Sequence, residues 1–230
     1  AVSVQLPAGT TDAPHSIFVV GSLGNVAAAS ISIVIPPVLQ TLTMHDVDVD
    51  GKVDQLRAVF DDTLAPYSAG VASWTLANIP SGGTLSAVAV AGDTATLTIT
   101  EGSGAPTTAV GAFTVALAAN SAGIRDVFGH TATFAAQAPL DRAAPAPVTM
   151  VMQDSNTNGK VNRVVLTWSE TLAATSTGNA PWSLASVPSA GSLSSASSSG
   201  TSTIFLNAAA AGEIDTGVGA FTIALAPTAT

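Results

Sequence analysis

Along most of the chain, apolar and polar positions alternate with a period of two. Between Val53 and Phe60, the residues Leu56, Ala58 and Phe60 share one face while Gln55 and Arg57 lie on the other. Ala95, Leu97 and Ile99 alternate with Thr94, Thr96 and Thr98 in the same way, as do Phe113, Val115 and Leu117 with Thr114 and Ala116. A half-buried strand writes this pattern. Threonine at alternate positions, with Gly or Pro every few residues, argues against the helix that the alanine content invites. The pattern predicts strands near 38–44, 53–60, 72–78, 84–90, 94–100, 111–118 and 131–136. Turn residues between them at roughly ten-residue spacing favour an antiparallel sandwich.

The pattern occurs twice. A shift of 108 positions lays 46–118 on 154–226 without a gap, with 29 of 73 positions identical. Trp74-Thr-Leu-Ala falls on Trp182-Ser-Leu-Ala, and Val110-Gly-Ala-Phe-Thr-Val-Ala-Leu on Val218-Gly-Ala-Phe-Thr-Ile-Ala-Leu. Such a period means two copies of one domain. The expected division is 1–37 as the closing strands of a preceding copy, 38–141 as a complete copy, and 142–230 as a second copy lacking its last strand. Val2–Pro7 matches the strand at Phe113–Ala118 in pattern, and Leu23-Gly-Asn25 matches Phe128-Gly-His130. The chain then reads as a window from a longer array, whose open edge is completed by continuing chain or by a neighbour's strand. Ala138–Pro147, with its three prolines, is a semi-rigid linker. Ser192–Thr203 is a worn pair of edge strands. The expected core is Leu56, Ala58, Phe60, Trp74, Leu97, Phe113, Val115 and Leu117 in the first copy. Its counterpart in the second is Val164, Leu166, Trp168, Trp182, Phe205, Phe221, Ile223 and Leu225.

Composition narrows the possible roles. Six Lys and Arg against fifteen Asp and Glu give a net charge of −9. That leaves no basic stripe for nucleic acid or an anionic lipid surface. Cysteine is absent, which removes disulfides, thiol catalysis and Cys-based zinc sites. Mean hydropathy is high, at +0.47. Yet the most apolar stretch, Val26 to Leu39, is broken by Ser30, Ser32 and Pro36-Pro37 and is too short for a membrane span. No secretion signal opens the chain, so any such signal is expected outside it.

One constellation carries chemistry. Asp46-x-Asp48-x-Asp50-Gly51-Lys52-x-Asp54 is the first nine positions of a calcium loop. Alternate carboxylates turn inward around a hard cation, the glycine permits the sharp turn, Lys52 offers its carbonyl, and Asp54 a carboxylate or a bound water. The twelfth position of an EF-hand needs a bidentate Glu; here it is Arg57, and a strand succeeds the loop instead of a helix. The missing acid is sought at Asp61 or Asp62. Asp62 is preferred because it aligns with Glu170, although either requires the loop to fold back along the strand. The alternative is an acidic turn without an ion, in which four carboxylates repel one another. The second loop keeps Asp154, Asn156, Asn158, Gly159, Lys160 and Asn162; its amides can still coordinate, more weakly. The expected ion is Ca2+, tying the strand near 38–44 to the one at Val53 and fixing the first copy against the segment before it.

Other features read as structural. His15, His45 and His130 lack metal-ligand spacing, and Trp74 and Trp182 read as core rather than sugar platforms. Asp126 and Asp141 beside the linker lack companions. No Ser, His and acid recur together as a triad, so no catalysis is expected.

Asp-x-Asp-x-Asp-Gly-Lys-Val-Asp running into Leu56–Leu64, with Gly-Ala-Phe-Thr-Val and Gly-Ile-Arg-Asp-Val-Phe-Gly-His130, resembles immunoglobulin-like repeats of large bacterial surface proteins. Val165-Leu-Thr-Trp-Ser-Glu-Thr-Leu172 is similar to the strand such repeats carry after the calcium loop. The resemblance implies an all-β fold of tandem immunoglobulin-like antiparallel β-sandwiches, extracellular and held rigid by calcium. The acidic, cysteine-free, Ala/Thr/Ser-rich composition leans towards a structural repeat of a cell-surface array, S-layer or filament. Its partners are then neighbouring copies of the protein or adjacent repeats. The alternatives are an adhesin repeat touching a cell-wall glycan or a protein, and an accessory module of a secreted hydrolase.

Overall fold

The structure, a computed structural model, describes residues 14–20, 26–32, 35–175, 179, 181–208 and 211–226; within it, the side chains of 14–20, 26–32, 174–175 and 204–208 are not described. The described residues contain fifteen strands and two 3-10 turns, Pro80–Gly82 and Pro188–Ala190, with no α-helix among them. The chain is all-β.

Strands β1 (Pro14–Val20) and β2 (Val26–Ser32) pair with each other in a two-stranded antiparallel sheet. The matches at Val2–Pro7 and Leu23–Asn25 lie outside the described residues, as does the side chain of His15.

The first copy places β3 (Leu39–His45), β4 (Gln55–Phe60), β6 (Thr84–Ala91), β7 (Thr94–Thr100) and β10 (Leu140–Asp141) in a sheet of order β10-β3-β4-β7-β6. A second sheet holds β5 (Trp74–Ala77), β8 (Thr114–Leu117) and β9 (Phe134–Gln137) in the order β5-β8-β9. Each of the seven expected strands has its counterpart. The eighth, β10, runs parallel to β3, so the linker's start belongs to the first sheet.

Both sheets contribute to one core. Leu42, Met44, Leu56, Ala58, Phe60, Ala95 and Leu97 from one join Trp74, Val115 and Leu117 from the other, together with the fully buried Phe113. All eight inward positions expected in this copy are buried. The arrangement is consistent with a β-sandwich.

The second copy is looser. Its sheets are β11 (Pro147–Gln153), β12 (Arg163–Thr175) and β14 (Ser192–Ala208) in one, and β13 (Trp182–Ala185) with β15 (Thr222–Leu225) in the other. The expected pair of worn edge strands is a single run, β14. It bends at Gly200 (φ 58), which brings the Ser198 and Thr203 hydroxyls to 2.8 Å, where five extended residues would hold them about 16 Å apart. A separate cluster forms around Val161, Val164, Leu166, Trp168 and Phe221. Leu225, expected inside, is 51% exposed. No described strand covers β15 as β9 covers β8, so its inward face keeps contact with water. Phe205's side chain lies outside those described.

Candidate metal centre at the junction of the copies

The loop from Asp46 to Asp54 joins β3 to β4, and its own polar groups shape it. Asp46, only 8% exposed, accepts the backbone N–H of Val49 at 2.7 Å through Oδ1 and that of Gly51 at 2.9 Å through Oδ2. Asp50 Oδ1 accepts Lys52 N–H at 3.0 Å, and Asp54 Oδ1 accepts Val47 N–H at 3.1 Å. Gly51 turns the chain at φ 92, the left-handed region glycine enters without cost. Val49 sits at φ 61, where a β-branched side chain is strained.

These bonds bring Asp46, Asp48 and Asp50 together, with one carboxylate oxygen from each within 4.8 Å of the others. The three can hold a metal ion. Burial pushes the Asp46 carboxyl up, partly countered by the N–H groups of Gly51, Val49 and Asp50.

A fourth acid, which sequence spacing does not reveal, stands beside them. Glu101 comes directly after β7 and, outside the group of three, lies near enough to feel the charges of Asp50 and Asp48. Burial first, then Asp50 and Asp48, raise its carboxyl; Lys52, with Nζ 3.9 Å from Oε2, pulls the other way. The signal lay in register. β4 pairs with β7 so that Gln55 faces Thr98, and the residues after Thr98 therefore run alongside the loop before Gln55. The 108-residue shift puts Ala209 at this position, so self-comparison hides the acid.

The remaining expected ligands divide. Lys52 ends the turn, where its backbone bridges to Thr107 and its Nζ donates to Gly102 O at 2.9 Å. Asp54 closes the loop through Val47 and does not join the triad. Asp62 lies past the far end of β4, roughly 25 Å along an extended strand from Asp54, and accepts Thr63 N–H. Glu170 is equally far from the second loop, for the same reason: strand direction carries both away. His45 ends β3 with Nε2 3.0 Å from Thr43 Oγ1, outside the triad.

The second loop repeats the scaffold with fewer charges. Asp154 accepts Asn158 N–H at 3.2 Å and Gly159 N–H at 2.7 Å, Asn158 accepts Lys160 N–H at 3.0 Å, and Asn162 accepts Ser155 N–H at 2.9 Å. Thr157 and Gly159 take φ 55 and 80, matching Val49 and Gly51. Asn156 occupies the place of Asp48 and is exposed.

The first loop also stands at the joint between the copies. A Cβ on Gly51 would lie 3.4 Å from Ser169 Cβ and 3.6 Å from Ala146 Cβ, both residues of the second copy. There Thr108 Oγ1 and Ser169 Oγ are 2.8 Å apart and both residues are buried. Thr108 N donates to Ser169 O at 3.2 Å, Ser169 N to Ala146 O at 2.9 Å, and Ala146 N to Ser169 Oγ at 3.0 Å. Beside this node Glu170 lies close enough to Asp141 and Thr108 to interact with both, so Asp141 does have companions. The loop's described contacts thus run to the second copy, while the side chains of most of the segment before it, against which the loop was expected to fix the first copy, lie outside those described.

Searches of protein-family models, of characterised proteins and of solved structures return no match to this chain.

Proposed function

We propose that the chain is a non-catalytic structural segment of tandem immunoglobulin-like sandwiches, stabilised by calcium and working in a bacterial cell-surface array, S-layer or extracellular filament. The convergence of Asp46, Asp48 and Asp50 at the joint between the copies carries this reading. Three carboxylates that close repel one another, and a divalent cation turns the repulsion into binding. The all-oxygen donor set and the Asp-x-Asp-x-Asp-Gly turn suit calcium's flexible coordination better than magnesium's strict octahedron. Val49 at φ 61 adds strain of order 1–3 kcal/mol, which a bound ion offsets. Calcium at extracellular levels fills sites of about 10⁻⁴–10⁻³ M, and a cysteine-free secreted protein has no disulfides to do the same work.

Scanning calorimetry with calcium and with chelator tests the reading. Calcium raises the melting temperature of the first copy, by the equivalent of about 2.7 kcal/mol at a hundredfold excess over Kd. Asp48→Ala removes most of this gain and Asn156→Ala little. Identical melting in calcium and chelator overturns it.

One observation favours a second reading, a repeat that binds glycan or protein. Asp126 is fully buried and accepts the N–H groups of Phe128 and His130 at 2.9 and 2.8 Å, which fixes a turn whose tip exposes Val127 and Phe128. Cell-wall glycan that binds the chain, and is lost from Phe128→Ala, would favour it over the array.

A further inference from the structure

The joint between the two copies has a projecting half and a receiving half, and each copy carries both. The projecting half of the first copy is Gly51, Pro106 and Thr108; Pro106 packs over Gly51, and Thr108 reaches Ser169. In the second copy the same positions are Gly159, Ile214 and Thr216. Ile214 packs over Gly159 as Pro106 does over Gly51, so the half is built. It is also uncovered: Ile214 is 73% exposed, and Thr216 is exposed where Thr108 is fully buried.

The receiving half of the second copy is Ala146 with Ser169, tied by Ser169 N→Ala146 O at 2.9 Å and Ala146 N→Ser169 Oγ at 3.0 Å. The equivalent positions in the first copy are Val38 and Asp61. They form the same node: Asp61 N donates to Val38 O at 3.0 Å, and Val38 N to Asp61 Oδ1 at 2.7 Å. This half is open as well, with Val38 52% exposed and Asp61 exposed.

We infer that the Gly159–Ile214–Thr216 surface of one chain docks on the Val38–Asp61 node of a second copy, repeating between chains the joint that exists within one. The contact is heterologous, so it propagates head to tail instead of closing a dimer. Thr216 Oγ1–H then donates to Asp61 as the Thr108 hydroxyl meets that of Ser169, and Ile214 covers Val38. Both ends are acidic, with Asp61 and Asp62 on one and Glu213 and Asp215 on the other. Association therefore strengthens with salt, which screens this repulsion within about 4 Å near 0.5 M. The inference deepens the array reading by naming its surfaces, and it stands apart from the identity of the ion.

The chain has no cysteine, so disulfide trapping tests it cleanly. Thr216→Cys and Asp61→Cys are placed in the same 230-residue chain, oxidised at about 0.5 M salt and run on a non-reducing gel. A ladder of dimers, trimers and higher species is expected. The two single variants, mixed, form a disulfide-linked dimer at least severalfold faster than either alone. Ile214→Asp in the double variant thins the ladder severalfold. Thr108→Cys with Ser169→Cys, whose side-chain oxygens are 2.8 Å apart, closes within one chain and reports a competent fold. Closure of that control without a ladder overturns the inference. So do single variants that dimerise as fast as the mixture, because like ends would then be meeting.

Discussion

Glu101 comes beside Asp50, at the edge of the Asp46–Asp50 triad, from the end of a different strand, and its chemistry changes sign with the ion. Without a cation its carboxylate adds to the repulsion of Asp50 and Asp48, and burial first, then those two neighbours, hold its proton more tightly than usual. With calcium bound, the same charge is attractive. Glu101→Gln should therefore weaken calcium binding about tenfold, or about 1.4 kcal/mol, while raising the melting temperature in chelator. Titration calorimetry reads the first effect and thermal melting the second. A residue that merely packs against the loop would move both in one direction, and that result would remove Glu101 from the site. The contiguous part of this site was legible because Asp46, Asp48 and Asp50 lie on one turn and their spacing alone brings them together. Glu101 was not, because only the pairing of β4 with β7 delivers it. Asp62 and Glu170 were misplaced by alignment between copies, which preserves position along a strand but says nothing of how far that strand has travelled.

At the scale of elements, β4, β7 and β8 were readable because large apolar residues alternate with polar ones, so one face of each had to be buried. β14 was not. Its Ser/Ala/Gly composition offers no period, and only Leu193 and Ala196 in its described half pack on the core. The same contrast sets how each copy responds to a cavity. Phe113 is fully buried between two well-covered sheets, whereas Phe221 lies in a smaller cluster beside the exposed Leu225. Phe113→Ala should cost about 3–5 kcal/mol, and Phe221→Ala clearly less, because water already reaches the inward face of β15. Urea unfolding, followed through Trp74 for the first copy and Trp168 and Trp182 for the second, separates the two; equal losses would mean the cores are equally tight.

Across the whole molecule, the joint decides whether the copies melt together. Glu170 sits beside the Thr108–Ser169 node, facing Asp141 and the Thr108 hydroxyl. Burial, then the charge of Asp141 and its hydrogen bond, hold the Glu170 proton above the ordinary carboxylate range, and Thr108 opposes them. An acid whose pKa is higher folded than unfolded binds more protons in the folded state. Its contribution to stability therefore grows as pH falls through the raised folded value, and is lost as Glu170 ionises above it. Mild acid should tighten the joint, where most surface carboxylates would loosen a fold. Asp46 and Glu101, both raised, act in the same direction within the first copy, so the joint's share must be isolated by substitution. Calorimetry on the whole chain should show two transitions at neutral pH drawing together in mild acid, where the protonated Glu170 donates to Asp141. In Glu170→Gln the amide donates that hydrogen bond at every pH, so the separation of the transitions should be smaller at neutral pH and should keep only the pH dependence that Asp46 and Glu101 give the first copy. Transitions that move apart on acidification, or a variant that keeps the parent's pH dependence, would show that Glu170 does not set the coupling.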